Sequence, residues 1–213
     1  VGSITQDGVF TSGGTGSSGT ITATAGGLTS KVTVGLENVH NDVTPEHWSY
    51  PAVEYCYEHG IVSGVSSTEF GRDHSIRRGD FVLMLYNALG KPAVTRLVRL
   101  LPTFPPSDYY AQAITWASAN HLVSGVAEGL FGPTDLVTRE QAFTILHQAM
   151  PLLGLSSAEA DLSVQDQFAD QGQIADYARP HMAALVSQGL MSGTGSGLNP
   201  KGNLTRGGDG YPS

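Results

Sequence analysis

Hydrophobic and polar positions follow two different periods along the chain, and the change falls near residue 37. Before it, apolar and polar residues alternate in Thr20–Ala25 and again in Lys31–Val34, which is the pattern of half-buried strands. The Gly26-Gly27 pair between these two stretches predicts the turn of a hairpin. Residues 1–36 are therefore predicted to form a short N-terminal β segment.

Beyond residue 37, apolar residues recur every three or four positions, which predicts amphipathic helices. One such helix is predicted to start at Pro45 and His47-Trp48, and its apolar stripe contains Ala52, Val53, Cys56 and Tyr57. Cys56 is thus expected to be a small core residue. In a later helix, Thr138 and Gln141 have the spacing of a capping box, which predicts the start of that helix.

The helical part carries one pattern three times, in Ile61–Phe81, Leu122–Phe143 and Leu190–Arg206. Each copy has an apolar pair, then Ser-Gly, a short loop with glycine, a turn, and an arginine at a predicted helix start. The separation from serine to arginine is 15, 15 and 14 residues in the three copies. Such regular recurrence predicts three structural repeats, each a helix, a loop and a second helix.

The third copy departs from this plan, because Arg206 is followed by a glycine-rich tail that disfavours a second helix. The predicted boundaries are residues 1–36 for the β segment, 39–95 for repeat one, 104–155 for repeat two and 166–213 for a truncated repeat three. The apolar and basic connection Thr95–Leu100 is expected to be a strand or a short helix.

Composition narrows the range of functions. The chain has 213 residues, with 19 Asp and Glu against 11 Lys and Arg, and this acidic balance argues against a nucleic-acid partner. Its single cysteine excludes an internal disulfide. No apolar run approaches the roughly 20 residues that span a bilayer. Because the sequence begins without a methionine, we expect it to be a piece of a longer protein.

The ordered motifs resemble three consecutive S-layer homology domains of bacterial surface proteins. The motifs that carry the resemblance are His47-Trp48, Gly60-Ile61-Val62-Ser63-Gly64 and Arg77-Arg78 in repeat one, Leu122-Val123-Ser124-Gly125 and Val137-Thr138-Arg139-Glu140 in repeat two, and Leu190-Met191-Ser192-Gly193 and Leu204-Thr205-Arg206 in repeat three. The first 35 residues or so resemble the last strands of a bacterial immunoglobulin-like domain, with a flexible Gly/Ser linker as the alternative.

The resemblance implies a mainly α fold, in which three helix-loop-helix repeats form a pseudo-threefold spindle. It also implies an extracellular location at the cell wall, without membrane insertion. The implied function is non-covalent anchoring of a surface protein, through secondary cell-wall polysaccharide bound in grooves between repeats. In this family the recognised sugar is often an N-acetylmannosamine that bears a pyruvate ketal.

A pyruvate ketal carries a carboxylate, and a guanidinium pairs with a carboxylate through two parallel hydrogen bonds. Each candidate arginine stands at a predicted helix start, where free N–H groups also favour an anion. The candidate glycan-binding residues are Arg78, Ser63, Gly64 and Trp48 in repeat one, Arg139, Ser124 and Gly125 in repeat two, and Arg206, Ser192 and Gly193 in repeat three. The groove of repeat one ranks first and that of repeat three last.

Structural roles compete with each of these assignments. The arginines could bind carbonyl groups of a neighbouring repeat, and the Ser-Gly pairs could be only turns after a helix end. Trp48 offers a flat face for stacking on a sugar ring, but it could instead be a core residue. Further candidates for sugar stacking are Tyr109, Tyr110 and Tyr177. The aspartates near each repeat start, Asp42, Asp108 and Asp170, are expected to form caps or turns rather than to bind ligand.

No sequence motif presents a catalytic nucleophile, no histidine pair has metal-ligand spacing, and no cofactor is indicated. Two other functions remain open. The chain could be a structural module that self-associates, with another chain supplying the missing helix of repeat three. Alternatively, the phrase Gly207–Tyr211 is similar to a loop in the substrate domain of surface 5′-nucleotidases, which would indicate an enzyme.

Overall fold

The computed structural model of this protein describes residues 3–5, 10–11, 18–25, 27–35, 40–94, 104–127, 130–156, 160–193, 195 and 197–208. The chain divides into two compact units, Val1–Arg72 and Asp73–Ser213. The predicted connection at Thr95–Leu100 lies outside the described residues, as does the tail from Asp209 onwards.

The first unit begins with two pairs of antiparallel strands. Strand β1 (Ser3–Ile4) pairs with β2 (Phe10–Thr11), and β3 (Ser18–Ala25) pairs with β4 (Leu28–Gly35). Ile21 lies opposite Val32, and Gly27 takes the positive φ angle of 82° that the tight turn requires. The predicted hairpin is confirmed, whereas its assignment to an immunoglobulin-like domain stays a prediction.

Helix α1 (Tyr50–Glu58) follows in the same unit. The sequence placed its start nearer to Pro45, but residues 44–49 form turns, and the helix begins one residue before Pro51. Proline suits this first turn because its missing N–H would have no partner there. Val53 on the inner face packs in a small core that also contains Phe70.

The second unit contains the other four α-helices of the described residues, which are α2 (Arg78–Ala88), α3 (Ala111–Ala119), α4 (Arg139–Ala149) and α5 (Arg179–Ser187). Short 3₁₀ turns cover Met150–Leu153, Leu162–Gln165 and Gln171–Gln173. Helix α3 packs against α2 and α4 packs against α5, while Trp116 lies in a core cluster with Val82 and Ile145. The prediction of a mainly α fold with a short β segment is confirmed.

A closed ring of three backbone hydrogen bonds joins the repeats just before their arginines. Ile76 donates its N–H to Leu204 O at 2.8 Å, Leu204 donates to Val137 O at 3.0 Å, and Val137 donates back to Ile76 O at 2.9 Å. Their side chains meet in one cluster, where Leu204 is only partly buried. The three repeats therefore have a cyclic order in which repeat three precedes repeat one.

The arginine backbones repeat this cyclic relation. The N–H group of Arg78 donates to Asp135 O, that of Arg139 to Gly202 O, and that of Arg206 to His74 O, each at 2.9 Å. Helices α2 and α4 start at the first two arginines, but Arg206 is followed by a turn in which Gly208 N donates to Thr205 O. Through Gly208, the described part of repeat three has no second helix.

Candidate functional site

The side chain of Arg78 extends from the first position of α2 to the loop of the following repeat. Its Nε donates to Phe131 O at 3.3 Å and its Nη2 to Ser124 O at 3.2 Å, and its guanidinium lies 4.9 Å from the centre of the Phe131 ring. Only 5% of Arg78 is exposed. The guanidinium thus helps to hold repeat one against repeat two.

Arg139 makes the same contacts one repeat later. Its Nε donates to Leu198 O at 2.9 Å and its Nη2 to Ser192 O at 3.3 Å. The sequence grouped each arginine with the Ser-Gly pair of its own repeat, whereas these two side chains bind the loop of the next one. Arg206 is partly buried.

A cavity of about 650 Å³ lies beside Arg78 in the second unit. Apolar residues of the repeat-two loop and of α4 form part of its wall. The polar part of the wall comes from α2, the repeat-two loop, α4, and the start of α5 with the segment that leads into it. Its residues are Arg78, His121, Ser124, Gln141, Thr144, Gln148, Tyr177 and His181, together with Gly125. Ser124 and Gly125, one of the predicted Ser-Gly pairs, therefore line the same cavity as Arg78, one of the predicted arginines.

The cation in this cavity has no acidic counterpart at close range. Among the residues that the structure describes, Arg78 forms no ion pair. Burial lowers the pKa of Arg78, while Tyr177 and Asp135 act in the opposite direction. Arginine nevertheless stays charged at neutral pH, so the cavity contains a buried positive charge that favours an anionic ligand.

Tyr177 is held at the cavity by a buried carboxylate that the sequence motif contained but did not assign. Glu140, which is 5% exposed, accepts hydrogen bonds from Tyr177 Oη at 3.3 Å and Ala175 N at 3.1 Å, and pairs with Lys201 Nζ at 2.6 Å. Burial, together with Glu140, raises the pKa of Tyr177 to about 12. The phenol therefore stays protonated at neutral pH.

His181, on the first turn of α5, contacts His147 of α4, with 2.9 Å between the two Nδ1 atoms. Burial lowers the pKa of both rings, and His147 further lowers that of His181. No sequence motif marked His181, because the equivalent position of repeat two is Ala113. The sequence signal that could have marked His181 is its place in the repeat, because it lies on the face of α5 that contacts α4.

The glycines of the other two Ser-Gly pairs are explained by the packing of their own loops. A Cβ on Gly64 would lie 2.6 Å from Ser66 O and 2.7 Å from Glu69 O, and one on Gly193 would lie 2.8 Å from Gly197 O. Such distances are too short for any side chain. Glycine is therefore required at positions 64 and 193 by the packing of the loops themselves, and no ligand contact is needed to explain it.

The repeat-start aspartates also act within loops. Asp42 accepts hydrogen bonds from the N–H groups of Phe70, Gly71 and Arg72 at 2.7–2.8 Å. Although burial acts in the opposite direction, these bonds lower the pKa of Asp42. Asp170 binds Leu198 N and Asn199 N in the same way, so the expectation of a turn-forming role is met by this geometry.

The aromatic candidates differ in exposure. Trp48, in the first unit together with Ser63 and Gly64, is 43% exposed, so it is not a buried core residue. Tyr109 is exposed and donates a hydrogen bond to Asp80, whereas Tyr110 is buried and bonds Asp108. Of the tyrosines proposed for sugar stacking, Tyr177 is the one that lines the Arg78 cavity.

The residues that the structure describes contain no group of three or more His, Cys, Asp or Glu residues arranged to hold a metal ion. Their helices are all too short or too polar to cross a bilayer.

Comparison with known proteins gives three matches to one family model, the S-layer homology domain, at residues 41–82, 104–143 and 167–207. Together these matches cover more than half of the chain. They include all three Ser-Gly pairs and all three arginines, so the repeats identified from the sequence are those of this family.

Individual relatives are surface proteins and enzymes that are much longer than this chain. It is 29% identical over 170 residues to an endoglucanase of Bacillus sp. (strain KSM-635), covering 78% of this chain and 17% of the relative. It is 27% identical over 159 residues to the surface-layer 125 kDa protein of Lysinibacillus sphaericus, covering 73% and 13%. To the S-layer protein sap of Bacillus anthracis it is 32% identical over 108 residues, covering 49% and 12%.

Proposed function

The chain belongs to the S-layer homology domain family of cell-surface anchoring modules, and we propose that it binds an acidic secondary cell-wall polysaccharide in the Arg78 cavity. The proposed ligand carries a carboxylate, such as that of a pyruvate ketal. This binding would hold a longer surface protein at the cell wall. The enzyme names among the relatives describe those proteins, and the module of this family is itself non-catalytic.

The buried charge of Arg78 is the observation that carries this proposal. Its two hydrogen bonds to carbonyl groups use two of the five N–H donors of a guanidinium. The remaining donors suit a carboxylate, whose pairing with arginine is strong and directional. The amide side chains of Gln141 and Gln148, which also line the cavity, supply donors and acceptors for sugar hydroxyls.

Arg78 is a poor first target for mutation, because its loss would leave the Phe131 and Ser124 carbonyls without their buried donor. Gln148 is exposed at its position on the cavity wall. Gln148→Glu therefore adds a negative charge to the cavity with little effect on folding, and should weaken retention of an acidic polymer at least tenfold. The matched control is Gln112→Glu, an exposed position on α3 that does not line the cavity.

The assay measures retention of the purified chain on cell-wall sacculi, with and without chemical removal of the secondary polymer. The proposal requires wild-type binding that depends on the polymer and that Gln148→Glu reduces more than Gln112→Glu. Mild acid hydrolyses the ketals and so removes their carboxyl groups from the polymer. This treatment should reduce retention of the wild type as much as Gln148→Glu does. Equal retention of both variants would place the ligand elsewhere.

A structural module with little glycan affinity is the second candidate. It is favoured by the contacts of Arg78 and Arg139, since both guanidinium groups already bind carbonyl groups of the neighbouring repeat. In that case wild-type retention on sacculi would not depend on the polymer. Sedimentation equilibrium of the chain would then test the self-association that this candidate implies.

A further inference from the structure

His181 places a second basic side chain in the wall of the Arg78 cavity. It lies in the first turn of α5 and is partly buried. Its Nδ1 lies 2.9 Å from the Nδ1 of His147 on α4. The 3₁₀ turn Leu162–Gln165, which also packs against α5, has no titratable side chain. Because none of the described residues that line the cavity is an aspartate or a glutamate, the wall offers His181 no carboxylate partner.

The geometry of the histidine pair allows it to take up one proton. In the neutral pair, one Nδ1 donates its proton to the other, so the Nε2 of the donating ring is unprotonated. A proton that adds to this Nε2 leaves the hydrogen bond between the two Nδ1 atoms intact. A further proton would have to bind the accepting Nδ1, and it would break that bond. The pair is therefore built to carry a single positive charge.

Within the protein itself, the surroundings of the pair favour its neutral form. Burial lowers the pKa of both rings, and His147 further lowers that of His181. Arg78 already contributes a positive charge to the same cavity, and a like charge nearby disfavours a second one. The other titratable groups of the wall are His121, which is exposed, and Tyr177, whose pKa of about 12 keeps it protonated at neutral pH.

The carboxylates of the neighbouring segments do not serve as counter-ions for the pair. These carboxylates are Asp135, Glu140, Asp161, Asp166 and Asp176. Glu140 pairs with Lys201, and Asp176 lies 3.6 Å from the Nε of Arg179. None of them contributes to the lowered pKa of His181, which follows from burial and from its partner ring. A negative charge that stabilises the protonated pair must therefore come from a ligand.

We infer that His181 is a second carboxylate-binding residue of the Arg78 cavity, and that the histidine pair takes up one proton when an acidic glycan binds. This inference rests on the proposed function and adds a residue and a pH dependence to it. Because the bound state carries the additional proton, affinity for the glycan rises as the pH falls. The ligand carboxylate stays ionised at these pH values, so the change in charge belongs to the protein.

Isothermal titration calorimetry with the methyl glycoside of pyruvylated N-acetylmannosamine tests this inference on the whole chain. Titrations at about pH 6.5, in buffers with different ionisation enthalpies, give the number of protons taken up on binding. The wild type should show proton uptake, and its affinity should rise about three- to tenfold between about pH 7.5 and pH 5.5. The methyl ester of the same sugar brings no charge, so any binding of the ester should proceed without proton uptake.

Histidine variants locate the proton. His181→Gln retains a hydrogen-bonding partner for His147 and should lose both the proton uptake and the pH dependence. The matched control is His74→Gln, at an exposed position of the same unit that does not line the cavity, and it should keep both. The NMR signals of the His181 ring report the same event without a substitution, because they should move from neutral to charged values when the sugar saturates the wild type.

The outcomes separate this inference from the function on which it rests. Binding with equal affinity at both pH values and without proton uptake overturns the inference alone. Proton uptake that persists in His181→Gln but disappears in His121→Gln also overturns it, because the exposed histidine of the wall would then be responsible. If the sugar does not bind at either pH, the proposed function fails and the inference fails with it.

Discussion

The hydrogen bond between His147 and His181 joins α4 to α5 at the edge of the Arg78 cavity. Two neutral rings can form this bond only if one Nδ1 carries a proton and the other accepts it. Burial lowers the pKa of both histidines, and the two rings disfavour simultaneous charging. The pair is therefore a local source of acid sensitivity in the anchoring module.

The sign of this effect follows from the lowered pKa values. Stability from the neutral pair is fully present above the unfolded pKa of roughly 6.5 and is lost as the pH falls through the lower folded values. His181→Ala, which introduces the residue found at Ala113 in repeat two, should reduce the loss of unfolding free energy between about pH 7.5 and pH 5. Urea unfolding at the two pH values measures this loss.

His59→Ala is the control for this prediction, because His59 is exposed on α1 and its replacement removes an imidazole without touching the buried pair. It should leave the pH dependence of the wild type nearly unchanged. If His59→Ala and His181→Ala reduce the pH dependence equally, the acid sensitivity does not come from the buried pair.

The burial of some residues could not have been predicted from the sequence, because these residues depart from the repeat pattern that predicted the other positions. Glu54 is 5% exposed and lies 3.9 Å from the Nδ1 of buried His40, yet the repeat pattern treats its position as ordinary helix surface. Burial raises the pKa of Glu54, with His40 acting in the opposite direction. Its burial depends on packing around α1 that no spacing rule encodes.

At the scale of elements, the two second helices differ in how they begin. The predicted capping box of α4 is confirmed, with Thr138 Oγ1 accepting from Gln141 N at 3.4 Å and Gln141 Oε1 accepting from Thr138 N at 3.2 Å. The equivalent residue before α2 is Arg77, whose side chain makes no capping hydrogen bond. Its backbone angles of −81° and 153° are close to the −79° and 159° of Thr138.

This similarity leads to a paired prediction. Thr138→Ala should lower the free energy of unfolding by about 1 kcal/mol, and Arg77→Thr should raise it by about 0.5–1 kcal/mol, because a threonine there can accept from Asp80 N. Urea unfolding of both variants is the measurement. A loss of stability in Arg77→Thr would mean that the arginine side chain contributes more than the cap it prevents.

Helix starts with such local signals were predictable, and so was the hairpin of β3 and β4, because its alternation and its two glycines act over neighbouring residues. The start of α1 was placed too early. Pro45 favours a turn as well as a first helical turn, and only packing around Val53 distinguishes the two. Local sequence signals thus predicted which helices and strands form more reliably than they predicted the residue at which each one begins.

At the scale of the molecule, the sequence revealed three repeats but not which repeat each arginine contacts. A spacing of 15 residues from Ser124 to Arg139 fits a contact within the repeat as well as one with its neighbour. The cyclic arrangement decides between them, because Arg139 lies nearest to the loop that contains Ser192. Such partners depend on the ring that closes the repeats, which is a property of the assembled unit.

The ring of three backbone hydrogen bonds among Ile76, Val137 and Leu204 can be tested by weakening it at one residue. Leu204→Ala removes apolar contacts with Ile76 and Val137 at the ring and should cost about 1–3 kcal/mol for this partly buried side chain. If the three backbone bonds open together, the amide hydrogens of Ile76 and Val137 should exchange roughly 10- to 100-fold faster in the variant.

Amide exchange followed by NMR distinguishes a cooperative ring from three separate contacts. The amides of Ile21 and Val32, in the β3–β4 hairpin of the first unit, provide the control and should keep their wild-type exchange rates. Faster exchange at Leu204 alone would contradict the prediction. It would mean that sequence-distant repeats meet at this point without stabilising one another.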